Sequence, residues 1–183
     1  MRGEGVIPAL IFCLYLCFGS GDSYAQPDAA ITMESYGARY FPGENNSWQT
    51  LWIKKIQREQ IQKILNHSFS QIRIRYWGEG SRTGWIFEEI GKELPITVGV
   101  IVEDEKIVDL TVLEYRESRG GEVVYPFFTG QFNSASLTQG KTFGLDKHID
   151  GITGATLSVW ALKKVATLAL YCHQQTQFSQ ATK

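Results

Sequence analysis

Between Asp150 and Ser158 the chain reads D-G-I-T-G-A-T-L-S, with two glycines, two threonines and an alanine ahead of an apolar-periodic segment. A helix start uses at most one capping side chain, so a cap alone does not account for this run. Glycine permits φ > 0 and close backbone approach. Gly151 and Gly154, just ahead of a helix, would leave its first amide N–H groups uncovered. Those donors and the helix dipole favour a phosphate, and Thr156 in the first turn adds a hydroxyl beside it. The alternative is an ordinary glycine-rich helix entry capped by Asp150 or Thr153. Neither Walker nor Rossmann glycine spacing is present and no lysine follows the glycines, which argues against nucleotide hydrolysis.

The elements that must position this run read as follows. Ser47–Ser68 follows a helical period, with Trp48, Leu51, Trp52, Ile56, Ile64 and Leu65 on one face. Ser47 or Asn46 would cap it and Asn66 to Ser68 would stop it. Gln71–Trp77 alternates as a strand, Gly78–Gly84 is a turn, and 85–91 and 96–104 are strands separated by Pro95. Gly99–Tyr115 holds two β-branched runs around a four-residue hairpin loop, Glu103 to Lys106. A glycine-bearing loop, Glu117–Tyr125, leads to a short helix with Pro126 in its first turn. From Gly154 or Ala155 the pattern is helical again. Leu157, Trp160, Ala161, Val165, Leu168 and Ala169 share a face, with Lys163 and Lys164 off it. The sequence therefore predicts one α+β domain, an antiparallel sheet with helices packed on one face.

Composition sets the outer bounds. The chain is 43% hydrophobic and 20% charged, in the range of globular proteins. Residues 1–25 read as a signal peptide, with Arg2 ahead of an apolar run from Val6 to Gly19 and small residues at Ser23 to Ala25. Its removal would take one of 18 basic and two of 19 acidic residues, leaving 17 of each. That balance gives no reason to expect a nucleic-acid partner. Cys13 and Cys17 leave with the signal, so Cys172 remains as a small core residue and no internal disulfide forms. His67, His148 and His173 are too scattered to suggest a metal site.

Asp150-Gly151-Ile152-Thr153-Gly154-Ala155-Thr156 resembles the flavinylation signature of the FMN-binding domain family: aspartate, variable residues, Ser or Thr, Gly-Ala, then Thr or Ser. The family includes the extracytoplasmic flavodomains of the sodium-pumping NADH:quinone reductase and of the Rnf complex. The resemblance runs from about Trp85 to Tyr171. It takes in the hairpin strands, the loop Y-x-E-S-x-G-G-E-V from Tyr115, the helix F-x-x-Q-F from Phe128 and the terminal helix. The small, stand-alone exported members are the most similar. On this reading residues 1–25 are the signal, 26–46 an N-terminal arm and 47–183 the FMN-binding domain.

The resemblance implies FMN esterified through its phosphate to Thr156 by a dedicated flavin transferase. Asp150 would be read by that transferase and its metal-bound donor. Gly151, Gly154 and Ala155 would leave room for approach, and Thr153 fills the Ser/Thr position. Glu117, Ser118, Arg119, Gly120 and Gly121 match a segment near the flavin. Larger relatives carry Glu-Thr-Pro-Gly-Leu-Gly there, and this chain departs from it. Arg119 then either neutralises flavin charge or is solvated, and Gly120-Gly121 is equally a plain turn. Phe127, Phe128 and Phe132 wall the ring or fill the core, with core favoured. The implied role is an electron-transfer carrier exported to the bacterial periplasm or cell envelope, serving a membrane or periplasmic redox partner. A flavin-dependent reductase component acting on a small substrate, and a non-redox binding or assembly module with a vestigial motif, are the other readings.

Overall fold

Strands that follow one another along the chain pair with their sequence neighbours, giving an antiparallel sheet in the order β1-β2-β3-β4-β5. The computed structural model describes residues 32–43, 47–138 and 143–180. The expected signal over 1–25, with Cys13 and Cys17, lies outside the described residues, as do 26–31 and 44–46 of the expected arm. The elements are α1 (Met33–Tyr40), β1 (Gln49–Trp52), α2 (Lys55–Leu65), β2 (Arg73–Glu79), β3 (Arg82–Ile90), β4 (Pro95–Glu103), β5 (Lys106–Tyr115), α3 (Pro126–Thr129) and α4 (Thr156–Gln174). This is the α+β class that the sequence predicts.

The β-branched run of β4 sits at the centre of the packing. Every residue from Ile96 to Val102 is buried, so the strand is covered on both faces. Val98, Val100 and Val102 join the main core with α2 and α4, on the face where helices are expected. On the other face Ile101 joins Trp77 of β2 and Tyr36 and Phe41 of the N-terminal segment. Glycines make that second contact possible. A Cβ on Gly99 would stand 2.4 Å from the Tyr36 ring, one on Gly84 2.6 Å from Phe41, and one on Gly37 2.4 Å from Trp77. The Tyr36 hydroxyl then donates to Asp109 at 2.9 Å. The expected arm thus contains a helix that covers the second sheet face.

The hairpin between β4 and β5 is tighter than its sequence suggests. Glu103 and Lys106 are a paired strand-end couple, and the turn is only Asp104 and Glu105. Both have positive φ, 49° and 62°, as the primed two-residue turns require.

Two helical expectations need correction. Ser47–Ser68 is not one helix: Gln49–Trp52 pairs with β2, Trp52 opposite Arg73, as an edge strand. The helix begins at Lys55, where the Lys54 N–H donates to Gln57 Oε1 at 2.8 Å, so neither Asn46 nor Ser47 caps it. Trp52 and Ile56 are exposed, Trp48 stacks on Trp77, and Ile53, Ile61, Ile64 and Leu65 do the packing. Its end at Asn66, in the left-handed region, is where the sequence puts it. In α4, Ala161, Val165, Leu168 and Ala169 are buried as expected, but the inward face of the first turns is rotated from the expected one. Leu157 and Trp160 are exposed, and Val159, Leu162 and Val165 lead into a stretch buried on all sides through His173.

Polar ties fix α4 against the sheet. Glu89 of β3, almost fully buried, accepts from Lys164 Nζ at 2.8 Å and pairs with His67 Nε2 at 2.9 Å. The Glu89 hydrogen bond raises the His67 pKa. Nδ1 of buried His173 lies 2.8 Å from Thr83 Oγ1, which also accepts from Trp85 Nε1. Cys172 is fully buried, and burial pushes its thiol pKa up.

Gly99→Ala will drive a methyl group into the Tyr36 ring. Over-packing of this kind costs about 1–3 kcal/mol, so the urea midpoint of unfolding will fall with little change in slope.

Candidate functional site

The motif between Asp150 and Ser158 is fastened at every third residue. Ile149 and Ala155 are buried and Ile152 packs against the main core, which leaves Asp150, Gly151, Thr153, Gly154 and Thr156 facing out. The Ala155 N–H donates to Ile152 O at 3.0 Å, closing a turn whose third residue, Gly154, has φ = +85°. A turn with φ > 0 at that position calls for glycine. A Cβ added at Gly151 or Gly154 would meet no atom within 4 Å, so space is left open at both.

Helix α4 then starts without a cap. Its N-cap is Ala155, which has no side chain able to accept, and neither Asp150 nor Thr153 takes that role. The Asp150 N–H instead donates to Gln131 Oε1 at 2.8 Å, and its exposed carboxylate lies 3.4 Å from His148 Nε2. Among the described residues, no acceptor meets the N–H groups of Thr156, Leu157 and Ser158. An uncapped helix start of this kind is a ready anion seat, and the exposed Thr156 places a hydroxyl in the same turn.

The loop after β5 comes to face it. Lys92, Glu93, Glu117, Ser118 and Arg119 form one side of a cleft of about 610 Å³, and Gly154 to Ser158 form the other. A neighbouring cleft of about 530 Å³ shares Ser118, Arg119 and Gly154 and adds Gly120, Gly121, Glu122, Tyr125 and Thr153. Gly120 has φ = +81°, and a Cβ there would come within 3.0 Å of both the Ala155 Cβ and the Tyr115 hydroxyl. Gly120 and Ala155 therefore need each other small. Gly121 has no such restriction. A third cleft, about 470 Å³ beside His67, Arg73 and Glu88, contains none of these residues.

The residues expected near the cofactor divide by what they touch. Glu117 Oε1 accepts from the N–H groups of Leu94, Glu93 and Lys92 at 3.0, 2.7 and 2.6 Å, so that oxygen braces the turn between β3 and β4. Those donors, Leu94 foremost, hold the carboxyl below the usual carboxylate range. The Arg119 guanidinium is exposed and meets no carboxylate among the described residues. Phe128 and Phe132 are core, packed on each other, whereas Phe127 is exposed and stacks on Tyr125. Sequence reasoning does not single out Tyr115. Its hydroxyl donates to Arg119 O at 2.5 Å and lies 3.0 Å from Ser158 Oγ, joining the loop to the first turn of α4. A hydroxyl-bearing aromatic at the end of a strand, just before the loop, is the signal that could have found it.

Residues 91–171 match the model of the FMN-binding domain family. This stretch is an FMN-binding domain. FMN is accordingly its cofactor. No curated protein matches the chain. The matched stretch begins at the turn braced by Glu117, covers both strands of the last hairpin and the facing loop, and ends within α4. Among the described residues, three unpaired amide donors and a guanidinium without a carboxylate line one cleft, and Lys92 beside them pairs with Glu93 at 3.2 Å; these donors suit the phosphate end of FMN. Thr156, Leu157, Ser158 and Arg119 are the residues that would hold that group.

Glu117 gives the FMN-binding domain a pH dependence of known sign. Its folded pKa is lowered, so its brace is fully present above the unfolded carboxyl pKa and is lost as pH falls through the lower folded value. Glu117→Gln will therefore be less stable than the parent at neutral pH. The two thermal unfolding profiles will converge in acid.

Proposed function

We propose that this protein is an exported flavoprotein that carries FMN covalently, through a phosphoester to Thr156, and serves as an electron-transfer carrier in the bacterial periplasm or cell envelope. The observation that carries the reading is the uncapped start of α4, where unpaired amides surround an exposed threonine hydroxyl. FMN, when bound, supplies one- and two-electron redox chemistry through its isoalloxazine.

The chain's own residues supply the attachment point. The amides of Thr156, Leu157 and Ser158 and the Arg119 guanidinium offset the charge of a phosphate. As the Oγ–phosphorus bond forms, the bond from phosphorus to the donor's leaving group breaks, the leaving group departs with that electron pair, and the Thr156 hydroxyl proton passes to solvent. A flavin transferase reaches that oxygen past Gly151 and Gly154, where among the described residues no atom lies within 4 Å of a Cβ position, and reads Asp150, whose carboxylate is exposed. A covalent tether suits a compartment in which a lost cofactor is not replaced, in keeping with the signal read over residues 1–25. Leu157, 43% exposed, and Arg119 lie at the solvent edge of the cleft. A membrane or periplasmic redox partner can meet that edge by surface contact.

Intact mass of the protein co-produced with a flavin transferase will show one FMN adduct, on the peptide that contains Thr156. Thr156→Ala will lose it and Thr156→Ser will keep part of it. An unmodified mass with transferase and FMN both present sinks the reading, and an adduct that survives in the alanine variant moves the site elsewhere.

A further inference from the structure

Arg119 lies on an exposed loop with glycines at the next two positions, a poor place from which to hold a long cation in one position. Three contacts restrain the loop. At its start Glu117 Oε1 is held by three backbone amides of the turn between β3 and β4. In its middle Gly120 rests against Ala155, with no room for a Cβ between them. The third is the Tyr115 hydroxyl. A phenol has a single proton, and here it is donated to the Arg119 carbonyl at 2.5 Å. The Ser158 hydroxyl, 3.0 Å away and able to donate, then gives its own proton to the Tyr115 oxygen. The result is a directed chain, Ser158 to Tyr115 to Arg119, that runs from the first turn of α4 into the loop. Ser158 is buried and its helix is fixed in the core, so the chain is anchored at the α4 end.

We infer that Tyr115 is a positioning residue for the cofactor: through its hydroxyl it holds the backbone of Arg119 to the start of α4, and so keeps the guanidinium in the cleft that contains Thr156. The inference rests on the flavin reading of that cleft. Tyr115 itself touches only protein, and its effect on the flavin passes through Arg119. A cation held at the phosphate end of FMN also lowers the cost of adding negative charge to the same molecule, so it favours the reduced form, which carries more of that charge. Losing the tie or losing the cation therefore shifts the midpoint potential in the same direction, downward.

The test uses the full exported chain, both unmodified and FMN-loaded, as wild type, Tyr115→Phe, Ser158→Ala, Arg119→Gln and the Tyr115→Phe/Arg119→Gln pair. In the unmodified protein, backbone order parameters over Ser118–Gly121 will fall in Tyr115→Phe, because the bond that holds the Arg119 carbonyl is lost. Order parameters in the core of α4 will not change. In the loaded protein Tyr115→Phe and Arg119→Gln will each lower the midpoint potential, and the pair will fall no further than Arg119→Gln alone, because both act through one group. Ser158→Ala removes the far end of the chain without touching the tyrosine and will move loop order and potential in the same directions by less. Unchanged loop order parameters in Tyr115→Phe overturn the inference. So does an unchanged potential, or one that falls additively in the pair. A wild type that takes up no flavin fails at the first step, before any variant is compared; it overturns the flavin reading and this inference with it.

Discussion

Among the described residues nothing caps the first amides of helix α4, and the site depends on that helix staying in place. Elsewhere a missing cap frays the first turn. Here 13 of the 19 residues of α4 are buried, and the Lys164–Glu89 pair ties the helix to β3. The core holds the helix so firmly that its start can remain chemically unsatisfied, which is the condition for receiving an anion. The sheet contributes indirectly. Strand β4, buried on both faces, fixes the platform on which α4 lies, and β5 delivers the loop that faces the open helix end.

The loop shows how a few atoms turn a flexible segment into a wall. Glu117 is committed to backbone amides, Gly120 to contact with Ala155, and Tyr115 to the joint between loop and helix. That leaves Ser118 and Arg119 turned outward at the cleft, where a polar ligand can use them. An acidic residue beside a cofactor cleft would ordinarily repel a phosphate. Here one of its two oxygens already accepts from three donors, and its charge is spread over them.

Much of this was legible in the sequence. The β-branched runs that bracket Asp104-Glu105, Pro126 at a helix start, Asn66 at a helix end and the glycines ahead of Thr156 each have a local physical cause. What was not legible depends on partners distant in the chain. The spacing of Trp48, Leu51 and Trp52 fits a helical face, and only pairing with Arg73–Tyr76 makes that stretch a strand. Leu157 and Trp160 continue an apolar period, but the neighbouring positions face the sheet and these two stay exposed. In the loop, the family resemblance places Glu117 and Arg119 together in a segment near the cofactor. Their separate roles follow from which backbone groups lie within reach, and sequence spacing does not encode that.

The buried thiol of Cys172 bears on how the folded chain behaves in oxidising surroundings. Disulfide exchange requires a thiolate and a line of approach. Burial denies both, since it raises the thiol's pKa and closes helix and sheet over the sulfur. Capture of this sulfur by a disulfide or alkylating reagent thus requires the surrounding core to open first, and follows the opening rate when the reagent reacts faster than the core recloses. A natively folded molecule stays inert to thiol exchange, and the cysteine acts as a built-in clock for loss of the fold.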